Sequence, residues 1–257
     1  MTTLTQPIFI RQTAKLVQAS LRTRYRGTWS GFLWVILLPI FTFGAQSYAF
    51  HYILKMDVEH YPLFLLTGLL PWIFISQSLD MSATSLLNNA KMLKSFPISP
   101  YAIVLSQITD NFINYLAAFI VLIIPIKLWL DWPLGHLIYM IVPLISLFIF
   151  VTSASFLLSA INVLYRDTKF ILSFFLSIAF FMTPIFYPVD FIPPNMRWVA
   201  DYNVFYSIIR PIQILSTQFS MDDYWQANLK SYLTSITLAV FTIYYWRKKR
   251  NAIFFIF

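Results

Sequence analysis

Two acidic residues, Asp80 and Asp110, stand inside long apolar segments of the sequence and are its first candidates for chemistry. A carboxylate at the centre of a membrane helix costs about 2.5–3.5 kcal/mol on insertion scales, and such residues often serve in a proton relay or a gate. Both acids lie near one end of their segments, where water or the side chains of Lys91 and Lys94 could reach them. We therefore favour a structural role for both, with a relay or gate as the alternative.

The other reactive side chains form no catalytic or metal-binding pattern. The chain has no cysteine, and its three histidines lack the spacing of metal ligands. None of its five glycines begins a Gly-x-x-x-x-Gly-Lys loop, the element whose backbone N–H groups hold nucleotide phosphates. We therefore expect this chain to bind no cofactor or metal and to have no ATP site of its own.

The composition predicts that most of the surface faces lipid. Hydrophobic residues make up 59% of the 257 residues, only 11% are charged, and the mean hydropathy is +0.69. An average soluble domain is about half apolar and one quarter charged. The predicted fold class is therefore an all-α integral membrane protein with a single membrane domain.

Six segments are long and apolar enough to cross a bilayer, which takes about 18 or more residues in a helix. Several of them contain proline, which membrane helices tolerate when neighbouring groups satisfy the freed carbonyls. An even number of spans places both termini on one side of the membrane. The predicted spans are 32–53, 62–80, 103–127, 137–163, 169–187 and 229–246.

The positions of the basic residues predict which side that is. Most of the 18 Lys and Arg residues fall in segments that this topology places together with the termini. Cytoplasmic loops carry such an excess, so both termini are expected in the cytoplasm, with 247–257 as a cytoplasmic tail. The net charge of +8 then reflects topology, and nucleic acid is not an expected partner. The residues on the predicted cytoplasmic side are Arg11, Lys15, Arg22, Arg24, Arg26, Lys91, Lys94, Arg166, Lys169, Arg247, Lys248, Lys249 and Arg250.

Residues 1–30 form a predicted amphipathic helix on the cytoplasmic interface. Apolar side chains recur at helical spacing beside a polar stripe that includes Arg11 and Lys15. Such a helix lies along a membrane surface, where it can be a simple anchor or have a further role. The apolar stripe consists of Ile10, Ala14, Val17 and Leu21.

The outer region 188–228 is predicted to contain re-entrant helices. The apolar runs 184–194 and 204–215 are too short to span a bilayer and are interrupted by prolines and Arg210. Irregular backbone at membrane depth must be buried in protein or line a watery cavity. A surface loop lying on the lipid headgroups is the alternative.

Four motifs in this order resemble the transmembrane subunit of bacterial type-2 ABC exporters of cell-surface polysaccharides: O-antigen, capsule or teichoic acid. They are RYRGTWSGFLW at 24–34, LLTGLLPWIF at 65–74, SAINVLYRDTKFI at 159–171 and TPIFYPVDFIPPNMRWVADYN at 183–203. The resemblance implies a second copy of this chain, two copies of a separate ATPase that bind ATP and Mg²⁺, and a passage for a lipid-linked glycan. Many relatives have Asn-Pro where this chain has Asn203-Val204, so the outer re-entrant helix is expected to start less rigidly.

The resemblance also implies that 88–100 is a coupling helix, which enters a groove of the ATPase. Asn88 or Asn89 can cap its start, and Pro97 with Pro100 can end it. A plain reversal loop is the alternative reading. The residues predicted to contact the ATPase are Lys91, Met92, Leu93, Lys94, Phe96 and Pro97.

A polymer passage needs walls that grip sugars weakly, and aromatic faces can stack on the C–H face of a pyranose ring. Aromatic residues share one stripe of the first span and one of the fifth, although such residues more often face lipid or another helix. The candidates for the substrate path are Trp34, Phe41, Tyr48 and Tyr52, then Phe174 and Phe181, with Tyr25 and Trp29 at the inner mouth.

Two other function classes are weaker. A membrane-embedded transferase acting on lipid-linked sugars would need paired carboxylates or a histidine at one membrane face, but the acids outside the spans are scattered over several loops. An ion-coupled transporter usually carries ionisable groups near the membrane midplane, and those positions are nearly empty here. The transferase is kept as the alternative.

Overall fold

The computed structural model describes residues 6–25, 33–49, 58, 60–130, 135–216 and 219–255. Within these residues the protein is helical and has no β-strand, as the predicted fold class requires. Short 3-10 turns cover Gly135–Met140, Val189–Phe191 and Pro194–Met196. The helices are α1 (Gln6–Tyr25), α2 (Leu33–Ser47), α3 (Tyr61–Asn88), α4 (Ala90–Ser95), α5 (Pro100–Trp129), α6 (Ile141–Leu164), α7 (Thr168–Met182), α8 (Trp198–Asp201), α9 (Val204–Ser216) and α10 (Met221–Phe255).

Three segments are long and apolar enough to cross a membrane by length and composition: Tyr61–Asn88, Pro100–Trp129 and Gly135–Leu164. They match the predicted spans 62–80, 103–127 and 137–163, and each extends beyond the prediction. Thr168–Met182 and Val204–Leu215 are shorter apolar helices. The first predicted span corresponds to α2, but its residues 50–53 lie outside the described part of the chain.

Two predicted span boundaries differ from the structure. The fifth predicted span reaches residue 187, whereas α7 ends at Met182 because Thr183 precedes Pro184 and is extended. The last predicted span begins at 229, whereas α10 begins at Met221 and continues to Phe255. Asp222 and Asp223 lie in its first turn, where negative charge interacts favourably with the helix dipole.

Helix α3 is the centre of the bundle and contacts α2, α5, α6, α7 and α9. Most of its side chains are buried, including several hydroxyls. Thr67 donates to the carbonyl of Leu63 at 2.8 Å, and Ser85 donates to the carbonyl of Ser82 at 2.8 Å. Since these hydroxyls bond within their own helix, they can lie in the core without the cost of an unsatisfied polar group.

Helices α3 and α5 pack antiparallel, as expected from the short connection between them. The ring of Phe74 lies 5.4 Å from the ring centroids of both Phe112 and Tyr115. One turn further along α3, Asn111 donates to the hydroxyl of Ser78 at 3.3 Å. The chain therefore leaves α3, makes the short helix α4, and returns along α3 as α5.

Helices α6 and α10 pack parallel, joined by a ladder of hydrogen bonds from α10 side chains to backbone carbonyls. From one hydrogen bond to the next, the residue numbers of the donor and of the acceptor increase together, so the two helices run in the same direction. The chain between them, which contains α7 and α9, must therefore return to the side where α6 began. The donors and acceptors are Tyr224 to Tyr139 (2.8 Å), Tyr232 to Val142 (2.8 Å), Ser235 to Ser146 (3.0 Å), Thr242 to Ser153 (3.0 Å) and Trp246 to Phe156 (2.8 Å).

Helix α9 is buried on almost every side between α3, α6 and α10, and it approaches α3 at Gly68. A Cβ atom at Gly68 would lie 2.7 Å from Nε2 of Gln213 and 2.8 Å from the carbonyl oxygen of Ile185. Gln213 itself donates to the carbonyl of Pro184 at 3.3 Å. Gly68 is therefore the residue that lets α9 and the segment after α7 lie against the central helix.

We predict opposite effects of alanine at two helical glycines. Gly68→Ala should destabilise the protein by about 1–3 kcal/mol, because backbone atoms of Ile185 must move to make room. Gly44→Ala is the control: a Cβ atom there would meet nothing within 4 Å, so it should be neutral or stabilising by up to about 1 kcal/mol. Thermal unfolding of the detergent-solubilised variants measures both, and equal stability of the two would contradict the close approach.

Candidate functional site

The short helix α4 is exposed at the end of the α3–α5 hairpin, within the predicted coupling segment. It covers Ala90–Ser95 only, because Phe96 precedes Pro97 and takes an extended conformation. Pro100 then occupies the first turn of α5, where its missing N–H is not needed. The segment 88–100 is thus the end of α3, a six-residue helix and the start of α5, which corrects the prediction of one helix bounded by both prolines.

Asn89 occupies the N-cap position of α4, one of the two positions predicted, but its side chain makes no capping hydrogen bond. The side chain of Asn88 donates to the Thr84 hydroxyl at 3.2 Å, and that of Asn89 donates to the carbonyl of Ser85 at 2.8 Å. Both side chains therefore bond back to α3 and not to the first turn of α4.

The predicted contact residues divide into an outward and an inward group. Lys91, Lys94 and Pro97 are exposed, and the Phe96 side chain keeps 60% of its surface accessible. Met92 and Leu93 are half-buried, and Leu93 packs against the core of its own chain. Phe96 is therefore an exposed apolar side chain that is close in sequence to two exposed cations, Lys91 and Lys94. The roles of all six in binding an ATPase stay predictions.

Gln12 of α1 ties this segment to the N-terminal helix, a contact that the sequence reasoning above missed. Its side-chain N–H donates to the carbonyl of Pro97 at 3.0 Å, and its side-chain oxygen accepts from the backbone N–H of Ser99 at 3.3 Å. The side-chain amide of Gln12 thus bonds two residues of the link between α4 and α5. In the sequence, Gln12 is recognisable only as a polar residue beside the predicted apolar stripe. Its spacing does not indicate which residues it contacts.

The two acids in apolar segments lie at contacts between helices. Asp110 of α5 is fully buried and accepts a hydrogen bond from the hydroxyl of Ser20 at 3.1 Å. Asp80 of α3 accepts from the hydroxyl of Ser173 on α7 at 3.4 Å. A seryl hydroxyl is thus one partner of each acid, and among the described residues neither Lys91 nor Lys94 forms an ion pair with them. The structural role of both acids stays a prediction, with a relay or gate as the alternative.

The buried face of α1 only partly follows the predicted stripe. Val17 is buried, but Ile10 and Ala14 are exposed, and Thr13 takes the adjoining buried position. Ile10 and Ala14 line a groove of about 710 Å³ between α1 and α5. The position of α1 on a membrane surface stays a prediction.

The described aromatic candidates for the substrate path are all exposed. Trp34 and Phe41 lie on the outer face of α2, and the exposed Tyr48 follows the last residue of that helix. Helix α2 packs against α3 and α5. Phe174 and Phe181 lie on the outer face of α7, which packs against α3 and α6. Each set is accessible from outside this single chain. Trp29, Tyr52 and the side chain of Tyr25 lie outside the described residues.

Asn203 and Lys127 make contacts that hold the outer region 188–228 in place and that the sequence did not indicate. Asn203 caps α9 by accepting from the backbone N–H of Tyr206 at 2.9 Å, and it donates to the carbonyl of Met182 at 3.2 Å. Lys127, at the end of α5, is fully buried and donates to the carbonyl of Leu215 at 3.2 Å. A basic residue at the end of the apolar segment 103–127 was the available sequence signal for this second contact, and it indicates no partner.

Residues 11–215, which cover most of α1, all of α2 to α8 and nearly all of α9, match the ABC-2 type transporter family. The chain is also similar to proteins named O-antigen export system permease protein RfbA. One, from Myxococcus xanthus, is 29% identical over 175 residues, which cover 68% of this chain and 67% of the relative. Two from Klebsiella pneumoniae are 27% and 28% identical over 201 residues, which cover 76% of this chain and 75% of each relative.

Proposed function

Because this chain belongs to the ABC-2 type transporter family, we propose that it is the permease subunit of an ATP-driven exporter of a lipid-linked polysaccharide. The similarity to O-antigen export permeases makes O-antigen the first candidate substrate, with capsule or teichoic acid as related alternatives. The chain is a membrane protein, and we place it in the bacterial inner membrane. Its energy source would be a separate ATPase, present in two copies, that holds ATP and Mg²⁺.

The observation that carries this proposal is the exposed helix α4 between two long helices. It is joined to α3 through the single residue Asn89 and to α5 through residues 96–99. A partner that moved α4 would therefore act on both long helices, and through Gln12 on α1 as well. The exposed aromatic ring of Phe96 gives such a partner an apolar anchor, and the exposed Lys91 and Lys94 are close to it in sequence.

The proposed topology has six crossings with both termini in the cytoplasm. Three of the crossings are the long apolar helices, and α2, α7 and α10 are the other three. Helix α9 is proposed as a re-entrant helix in the outer region. The antiparallel α3–α5 pair and the parallel α6–α10 pair support this arrangement. In it, α3 and α5 are the second and third spans, which must run in opposite directions, and α6 and α10 are the fourth and sixth spans, which must run in the same direction. The basic residues then lie mainly on the cytoplasmic side.

The substrate path is proposed to form between two copies of this chain. The outer faces of α2 and α7 are apolar and aromatic, and this one chain leaves them uncovered. Two such faces brought together would enclose a passage whose aromatic rings stack weakly on successive sugars. Trp34 and Phe41 on α2, with Phe174 and Phe181 on α7, are the described residues proposed to line it.

We predict that Phe96→Ala uncouples the ATPase from export. A buried aromatic anchor at an interface can contribute 2 kcal/mol or more, which corresponds to roughly a thirtyfold loss of affinity on truncation. The complex should therefore loosen, or ATP turnover should continue without glycan reaching the outside. Lys91→Ala is the control, since exposed charges at the rim of an interface contribute little. The measurements are co-purification of the ATPase, its turnover rate and export in cells. Normal values of all three in Phe96→Ala would contradict the coupling role of α4.

We predict that single cysteines at Lys94 and Asp222 label from opposite sides of the membrane. Both side chains are exposed, and the chain has no cysteine of its own, so each introduced thiol is unique. A membrane-impermeant maleimide added to intact spheroplasts should modify the cysteine at 222 and spare that at 94. Labelling of both cysteines, or of neither, before lysis would overturn the six-span arrangement.

We predict that Trp34→Ala combined with Phe41→Ala impairs export without affecting assembly. The loss should exceed that of a control pair, Leu233→Ala with Val240→Ala, which removes exposed apolar side chains from α10 instead. Export is measured as surface glycan, and assembly as ATPase co-purification. Equal export by both pairs would mean that the α2 stripe contacts lipid or only packs against protein.

A further inference from the structure

A cavity of about 440 Å³ lies between the start of α5, the second half of α6 and the end of α10. Its volume falls within the range of about 300–1,000 Å³ that is typical of ligand pockets. It includes neither α4 nor the aromatic faces of α2 and α7. The proposed export function therefore does not account for it.

One wall of this cavity is aromatic and fixed. The ring of Trp246 lies 4.9 Å from that of Tyr101 and 6.1 Å from that of Phe156, measured between centroids. The indole N–H of Trp246 donates to the carbonyl of Phe156 at 2.8 Å, which holds the ring in place. This wall offers an apolar surface that does not need to rearrange to receive a hydrocarbon chain.

The other end of the cavity is cationic. Arg247 and Arg250 are one turn apart on α10 and both line the cavity, whereas the intervening Lys248 and Lys249 do not. None of the described residues that line it is acidic. A guanidinium binds phosphate oxygens through two parallel hydrogen bonds, so two arginines at one end of an apolar cavity suit a ligand with one anionic end.

We propose that this cavity binds an anionic diacyl phospholipid of the surrounding membrane. The phosphate contacts Arg247 and Arg250, and one acyl chain lies along the Trp246 wall. Basic pockets between membrane helices bind acidic headgroups in this way. The binding is independent of the proposed export function, since it needs neither the ATPase nor a glycan. Bound lipid would hold α10 against the first turn of α5, which follows α4 in the chain.

The test uses the full chain in detergent, titrated with phosphatidylglycerol or phosphatidylcholine and followed by native mass spectrometry. The unmodified protein should bind phosphatidylglycerol more tightly. Arg247→Gln with Arg250→Gln should weaken that binding about tenfold or more, because both phosphate contacts are lost. Lys248→Gln with Lys249→Gln removes the same charge from the same turn of α10 and should change the affinity less than about threefold.

A third variant, Ala239→Phe, fills the cavity and keeps both arginines, so it should also reduce binding. It keeps the proposal testable if the double arginine variant is not monodisperse on size exclusion. Equal losses in the arginine and lysine pairs would indicate general attraction of acidic lipid and overturn the site. A polyprenyl diphosphate that saturates the site where phosphatidylglycerol does not would assign it to a lipid-linked substrate and overturn the phospholipid.

Discussion

Hydrogen bonds from side chains to the carbonyls of neighbouring helices are the interaction on which this bundle depends. In a bilayer the hydrophobic effect does not drive helices together, because lipid tails are as apolar as the helix surfaces. Helix α10 is the longest in the described part of the chain, yet it lies outside the group that is apolar enough to span by composition. Its polar residues are the donors of the ladder to α6. Polar side chains that lower the hydropathy of α10 are therefore also those that hold this helix against α6.

On the proposed topology, the same constraint governs the irregular segment after α7. Backbone that leaves a helix at membrane depth must find partners within the protein. Asn203 and Gln213 donate to the carbonyls of Met182 and Pro184, and the Tyr61 hydroxyl donates to that of Phe186 at 3.1 Å. These contacts need α9 close to α3, and Gly68 is the position that permits the distance. Gly68 and the side-chain amides of Asn203 and Gln213 therefore stabilise the non-helical segment after α7.

The sequence predicted the helical class, the three long spans and an exposed segment between α3 and α5, because hydropathy and proline act locally. Its last span, 229–246, lies within the longer helix α10, whose polar first turns hydropathy alone does not assign to a helix. It expected an asparagine side chain to cap α4, whereas the amides of Asn88 and Asn89 bond back to α3, because an amide can bond in either direction along the chain. The partners of Gln12, Asp110 and Lys127 could not be predicted, as each depends on packing between segments distant in sequence.

On the proposed function, α1 is the element through which movement of α4 would spread. It is bonded to the α4–α5 link at its first half through Gln12 and to α5 at its second half through Ser20. The Gln12 contact is partly exposed, where water competes for the same groups, whereas Ser20 bonds a fully buried carboxylate. The firmer contact is thus the one deeper along α5. A displacement of α4 would tilt α1 about Ser20, and α1 leads in sequence to α2, whose aromatic face is proposed to meet the glycan.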